Sequence, residues 1–341
     1  METARRTSVA RLAVLAAIVA TVVSGCALYS GPCRPVRETV AIGLTNPRGL
    51  ARGPDGALYV AEAGTTEMGG KVTRIDRDGR SSALLTGLSH SVNAGVEDVG
   101  AAAVAFAGGE MFVALGEGSG RFAASVARVG AGGLELVSDL HRFEAEVNPD
   151  GKEILSNPYA LANDAPRDRL VVVDAGANAI LAVRRDGATS VVAAWPDGAV
   201  PTGMAIAVDG SLTVAMLGRY PHPYQSGRID RVDASGRVAT IVRGVSMPVA
   251  VAFGSAEDLY VLEFAAGMRS MPRVEFIPRS GRVVRLRGDD RKTVVDRMNY
   301  PTALVVEPDG ALLVSVNGAL GTIGSGVVER VTPCLPRRAV A

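Results

Sequence analysis

Along residues 46–334, short apolar stretches alternate with turn-forming residues at a regular beat. One phrase recurs: NPRGLARGPDGALYVAEAG from Asn46, PTGMAIAVDGSLTVAML from Pro201, PVAVAFGSAEDLYVLEF from Pro248 and PTALVVEPDGALLVSVNG from Pro301. Looser copies begin at Ala101 (AAAVAFAGGEMFVALGEG) and Asn157 (NPYALANDAPRDRLVVVDAG). Each copy holds an apolar stretch, a turn such as Asp-Gly and then an alternating strand, a strong hairpin signal. A second hairpin follows, as in KVTRIDRDGRSSALLTGL from Lys71 or GRIDRVDASGRVATIVRGV from Gly227. One period is therefore four short antiparallel strands. Pro158, Pro201, Pro248 and Pro301 are separated by 43, 47 and 53 residues, and the 111 residues from Pro47 to Pro158 hold two periods. Four-stranded repeats of this length predict an all-β fold, a six-bladed β-propeller.

The ends of the repeat agree with a closed ring. The last copy holds only three strands, near 303–306, 312–316 and 327–331. The segment VRETVAIGL at residues 36–44 matches the fourth-strand segments SALLTGL and ATIVRGV. It is expected to complete the last blade, which removes the open edge between first and last repeats. Cys33 stands just before that strand and Cys334 just after the strand it should join. A Cys33–Cys334 disulfide would then replace the turn that links these two strands in other blades.

Residues 1–25 read as an address. Arg5, Arg6 and Arg11 form a basic region, followed by an uncharged apolar run at 12–23. Twelve residues are short for a membrane span, which takes about 20, but suit a signal peptide. The run ends in Val23-Ser24-Gly25-Cys26, which resembles a bacterial lipobox, so Cys26 is the expected lipidation site. The division is a lipoprotein signal peptide at 1–25, an anchor linker at 26–35, the propeller at 36–334 and a tail at 335–341. The expected location is the extracytoplasmic side of a bacterial cell membrane, held by lipid.

Composition narrows the function. Forty Gly and 18 Pro suit many tight turns, and aromatics are only 4%. Residues 1–25 carry three Arg and one Glu, so their loss leaves 33 basic and 34 acidic residues. That balance argues against a nucleic-acid partner, which calls for a basic excess. Only His90, His141 and His222 exist, which weakens a multi-histidine metal site or a histidine-centred triad.

The opening at residues 46–62, the segment SNPYALA…VVVDAGANAILAV at 156–183, and the later VPTGMAIAVDGSL and DLYVLEFAAG resemble the exported ScyD/ScyE family of β-propellers. The likeness covers about residues 40–333. The family takes its name from a cyanobacterial gene cluster for the pigment scytonemin. It implies a secreted propeller without a fixed reaction. VVVDAGANAI also looks like an NHL repeat, a motif of other six-bladed propellers. The chain departs from the family in its lipobox and its weak second blade.

Aligning the copies on Leu58, Met111, Leu170, Leu212, Leu259 and Leu312 brings Glu62, Leu115, Asp174, Met216, Glu263 and Val316 into register four residues on. Carboxylates at alternate positions of a six-bladed ring suggest an oxygen-ligand cation site, for which Ca²⁺ is the candidate. Asn178 and Asn317 are candidate additional ligands. The alternative is that each carboxylate caps backbone N–H groups or pairs with an arginine such as Arg48. The long segment LGRYPHPYQSGR brings Tyr220, His222 and Tyr224 to a loop, and loops on one propeller face form binding surfaces. His222 is the general-base candidate by location. The insertion at 264–278, with Met268, Arg269, Met271 and Phe276, is placed to cover the channel mouth or bind a partner. The favoured function is a noncatalytic module that binds a small molecule or protein at the channel face. The alternative is a calcium-dependent, lactonase-like hydrolase. A quinone-dependent sugar dehydrogenase comes third, since it needs a clear histidine base that is missing.

Overall fold

The computed structural model describes residues 33–66, 69–93, 97–255, 258–269 and 275–334. The expected signal peptide, Cys26, most of the linker, Met271 and the tail lie outside the described residues. Residues 33–35 with Cys334 group as one small unit, and Val36–Pro333 form the other. Within the larger unit stand six four-stranded antiparallel sheets, the six blades expected from the repeat.

Each blade starts with a strand of the same local formula. These first strands are Pro47–Arg52, Ala101–Ala107, Pro158–Asp164, Pro201–Ile206, Pro248–Phe253 and Leu304–Val306. They pack on one another around the ring, including sixth against first. The formula is Pro or Ala, a variable residue, Gly or Ala, then an apolar residue. The small third residue is required by the close approach of neighbouring backbones. A Cβ on Gly49 would run into the Ala102 carbonyl and stand 2.9 Å from Ala103 Cα. One on Gly203 would stand 2.6 Å from Ala250 Cα.

The second strands are Leu58–Glu62, Glu110–Leu115, Arg169–Asp174, Leu212–Met216, Leu259–Glu263 and Leu312–Val316, nearly all buried. Sheets packed face to face bury both sides of a central strand, so these read as apolar runs rather than alternations. Fourth strands are solvent-facing and alternate, as in Val238–Val245. Val36–Leu44 pairs with Gly326–Thr332, from Val36↔Thr332 to Leu44↔Gly326, and so completes the sixth blade as expected. Across that seam the Thr302 hydroxyl donates to the Pro47 carbonyl at 2.6 Å. Cys33 and Cys334 form a disulfide with Cα atoms 5.7 Å apart.

Two kinds of element fall outside the expected set. The helix Leu140–Val147 joins the second and third blades, capped by Asp139, whose carboxylate accepts from the Arg142 N–H at 2.9 Å. Two short hairpins, Ser91–Asn93 with Glu97–Val99 and Met268–Arg269 with Glu275–Phe276, are inserted between blade strands.

Candidate functional site

The variable second residue of each first-strand formula is Arg48, Ala102, Tyr159, Thr202, Val249 or Thr302. At one face of the ring Tyr159, Thr202 and Val249 line a cavity of about 420 Å³. Arg48 is outside that lining and buried, its side chain 4% exposed. One Arg48 nitrogen donates to Glu97 Oε1 at 2.6 Å, and the guanidinium stands 5.0 Å over the Tyr159 ring. Burial works against that charge, but Glu97, with Tyr159 and Asp98, outweighs it and holds the group protonated. Burial pushes the Tyr159 hydroxyl up. Arg48 therefore pairs with Glu97, not with the strand-end carboxylates for which it was a candidate partner.

The loops complete the wall. Tyr220 and His222 line the cavity, their rings edge to face at 6.1 Å. Burial lowers the His222 pKa, partly offset by a hydrogen bond with the Gly218 backbone and by Glu97, which favours the neutral imidazole. Its Nδ1 is buried without a hydrogen-bond partner among the described residues. Phe264 and Phe276, from the neighbouring fifth blade, also line it, edge to face at 5.1 Å, with Tyr300 stacked on Phe264 at 5.3 Å. The expected covering insertion thus gives two ring walls. Tyr224 stands outside the lining and is exposed.

The structure does not bring the strand-end carboxylates together as one ligand group. Glu62, Asp174 and Glu263 end the second strands, one strand out from the channel, and are buried. Glu62 accepts the Thr45 N–H at 2.6 Å and the Thr73 hydroxyl, with Lys71 at 3.3 Å. Asp174 accepts the Ser156 hydroxyl at 2.6 Å and the Asn157, Gly176 and Ala177 N–H groups. Glu263 accepts the Ser246 N–H at 3.1 Å and Arg282 Nε at 2.6 Å. Their oxygens are therefore already engaged as caps for the chain entering each blade. Among the described residues no group of three or more His, Cys, Asp or Glu is placed to hold a metal ion. A sequence signal for this role exists. The three blades with a strand-end acid carry Thr45, Ser156 or Ser246 two residues before the blade's proline, and the other three do not.

The amides proposed as extra ligands are also engaged. Asn178 lines the cavity edge, donates to Asp150 Oδ2 at 2.8 Å and accepts the Val200 N–H at 3.1 Å. Asn317 donates to the Ser325 carbonyl at 2.7 Å and accepts from Asn299 at 2.8 Å. Residues that sequence reasoning missed are Glu97, Glu117 and Tyr159. Tyr159 was legible as the variable position inside a repeated phrase. Glu97 sits in an insertion that matches no other copy, whereas Glu117 stands two residues past the strand-end register, where the other copies carry Gly or Ala. His90, read as structural or exposed, bonds Asp98 at 2.8 Å beneath the same hairpin.

The fold is shared with solved six-bladed propellers of differing activity. A putative oxidoreductase (glucose dehydrogenase) from Thermus thermophilus matches with TM-score 0.60 and 18% identity, over 87% of this chain and 100% of that one. A streptogramin B lyase matches with TM-score 0.55 and 13% identity, over 88% and 98%. A putative gluconolactonase matches with TM-score 0.52 and 14% identity, over 89% and 93%. No protein-family model matches the chain, and no curated protein does either.

Proposed function

We propose that the chain is an exported, lipid-anchored propeller that binds a small, largely apolar ligand at the channel mouth, in the manner expected of a ScyD/ScyE-like protein. The cavity carries this reading: about 420 Å³, open at one face, walled by aromatic and aliphatic side chains with a few polar groups. That is the size and character of ligand pockets in general. The Cys33–Cys334 disulfide supports export, since such bonds persist in oxidising compartments.

Nile red, a neutral apolar dye, serves as the probe. Fluorescence titration is expected to show saturable binding to the parent, and Ala175→Trp, which puts an indole into the cavity wall, should reduce it at least tenfold at unchanged melting temperature. Equal binding by both would sink the reading. For the anchor, Cys26→Ser should release the protein from the membrane fraction, and unchanged membrane association would contradict it.

A second reading has one observation in its favour. His222 presents a neutral imidazole to the cavity, the state a general base requires. Among neighbours of this fold, a virginiamycin B lyase from Staphylococcus aureus is catalytically inactive when one histidine is replaced by alanine. Under this reading the chain is a hydrolase or lyase without the calcium ring, and His222→Ala would abolish turnover of a lactone substrate. Under the binding reading, His222→Ala changes ligand affinity only.

A further inference from the structure

The cavity wall is divided by chemistry. Glu97 comes from the hairpin that leads into the second blade, and Glu117 follows that blade's second strand. Met247, Val249, Phe264 and Phe276 come from the fifth blade and its approaches. In a ring of six, blades two and five face each other across the axis. One side of the cavity is therefore acidic and the other apolar and aromatic.

The two acids are not equivalent. Glu97 is neutralised by Arg48 at 2.6 Å. No donor and no cation reaches the Glu117 carboxylate among the described residues, and only its backbone carbonyl is engaged, by the Ser91 hydroxyl at 2.9 Å. Burial, then Glu97 and Asp174, push its pKa up, as expected of a carboxylate that has lost water and gained no counter-charge. Arg48 is buried and outside the lining, and its charge is already met by Glu97 at 2.6 Å, although its Nη1 has no hydrogen-bond partner among the described residues.

We infer that the ligand is an organic monocation with an apolar body, an amine on an aryl or alkyl chain, its charge at Glu117 and its body against Phe264 and Phe276. The inference rests on the binding reading of the same cavity and names the class of ligand. A cation at Glu117 supplies the counter-charge that the fold leaves out, while an anion there meets two glutamates. The aromatic wall adds apolar burial, and ring faces also tolerate the cation as it enters.

The test uses three probes of one shape on the full chain: 4-phenylbutylamine, 4-phenylbutanol and 4-phenylbutyrate. Calorimetric titration at pH 8 is expected to rank the amine at least tenfold above the alcohol, with the acid weakest. Glu117→Gln should erase the amine's advantage and leave the alcohol within twofold of its parent affinity. Phe276→Ala should weaken amine and alcohol together. Equal affinity for amine and alcohol in the parent, tightest binding of the acid, an amine advantage that survives Glu117→Gln, or no binding of any of the three would each overturn the inference. The Nile red titration is independent of charge. Nile red binding lost in Ala175→Trp alongside a failed amine series overturns only the ligand class. Nile red binding that Ala175→Trp leaves unchanged removes the cavity reading itself.

Discussion

At the scale of single residues, the costliest placement is Glu144 on the linking helix. It is fully buried, and neither carboxylate oxygen has a hydrogen-bond partner among the described residues. Burial, then Asp174 and Asp150, raise its pKa from 4.5 to about 7. A carboxylate whose folded pKa lies above its unfolded one contributes its full share of stability below the unfolded value. That share is lost as pH rises through the folded value. This group therefore lowers stability progressively as pH rises from 4.5 to about 7, and the loss persists above that. Glu144→Met removes the unpaired charge and is expected to raise stability at pH 8 by roughly 1–3 kcal/mol. Urea unfolding at pH 5 and pH 8 should show a smaller difference in the variant, and an undiminished difference would place the titration elsewhere. Trp195, the single tryptophan, is a built-in reporter for such experiments. Its Nε1 donates to buried Asp230 at 3.0 Å, and Arg228 shares that carboxylate. Asp230→Ala leaves the buried Trp195 N–H without an acceptor, while Arg228 keeps Asp197 at 3.1 Å, and should cost about 1–3 kcal/mol, with Trp195 emission shifted to the red in the native state.

At the scale of elements, the first strands decide how tightly the ring closes. Their third residue is Gly or Ala in all six blades, because neighbouring first strands meet backbone to backbone there. Gly49→Ala adds one methyl group against the Ala102 carbonyl, and neither side can rotate away. Overpacking of this kind costs about 1–3 kcal/mol. A lower urea midpoint at unchanged slope is the expected result, and a midpoint equal to the parent's would show that the strands can separate at little cost. The strand-end acids belong to the same scale: each is the partner of a Ser or Thr segment entering its own blade.

At the scale of the whole molecule, the chain ends hold the fold closed. The strand Val36–Leu44 fills the last place in the sixth blade, and Arg37 forks onto Glu329 at 2.9 and 2.8 Å. The disulfide joins residues 301 positions apart in sequence. Cys33→Ser/Cys334→Ser is expected to lose roughly 2–5 kcal/mol, since the open chain gains entropy when unfolded. Calorimetry of parent and double variant should show the drop, and the reduced parent should behave like the variant. A melting temperature that is the same in all three would show that strand pairing alone suffices. Among the described residues no helix is long and apolar enough to cross a membrane.

Much of this was determined by the sequence alone, because the fold is a repeat. Hairpin turns and alternating strands are local, so six copies of one phrase set six blades, and a three-stranded last copy with a spare strand at 36–44 set the closure. The disulfide followed from where Cys33 and Cys334 stand on those strands. The site was decided by tertiary structure. Register placed Glu62, Asp174 and Glu263 in equivalent positions, but only packing shows that they are one strand out from the channel and used up by backbone N–H groups. Glu97 lies in an insertion with no counterpart in the other copies, so no periodicity points to it, while Glu117 stands in register with Gly or Ala of the other copies and only packing shows that it lines the cavity. Their pairing with Arg48, or lack of a partner, depends on distances between blades that a linear pattern does not contain.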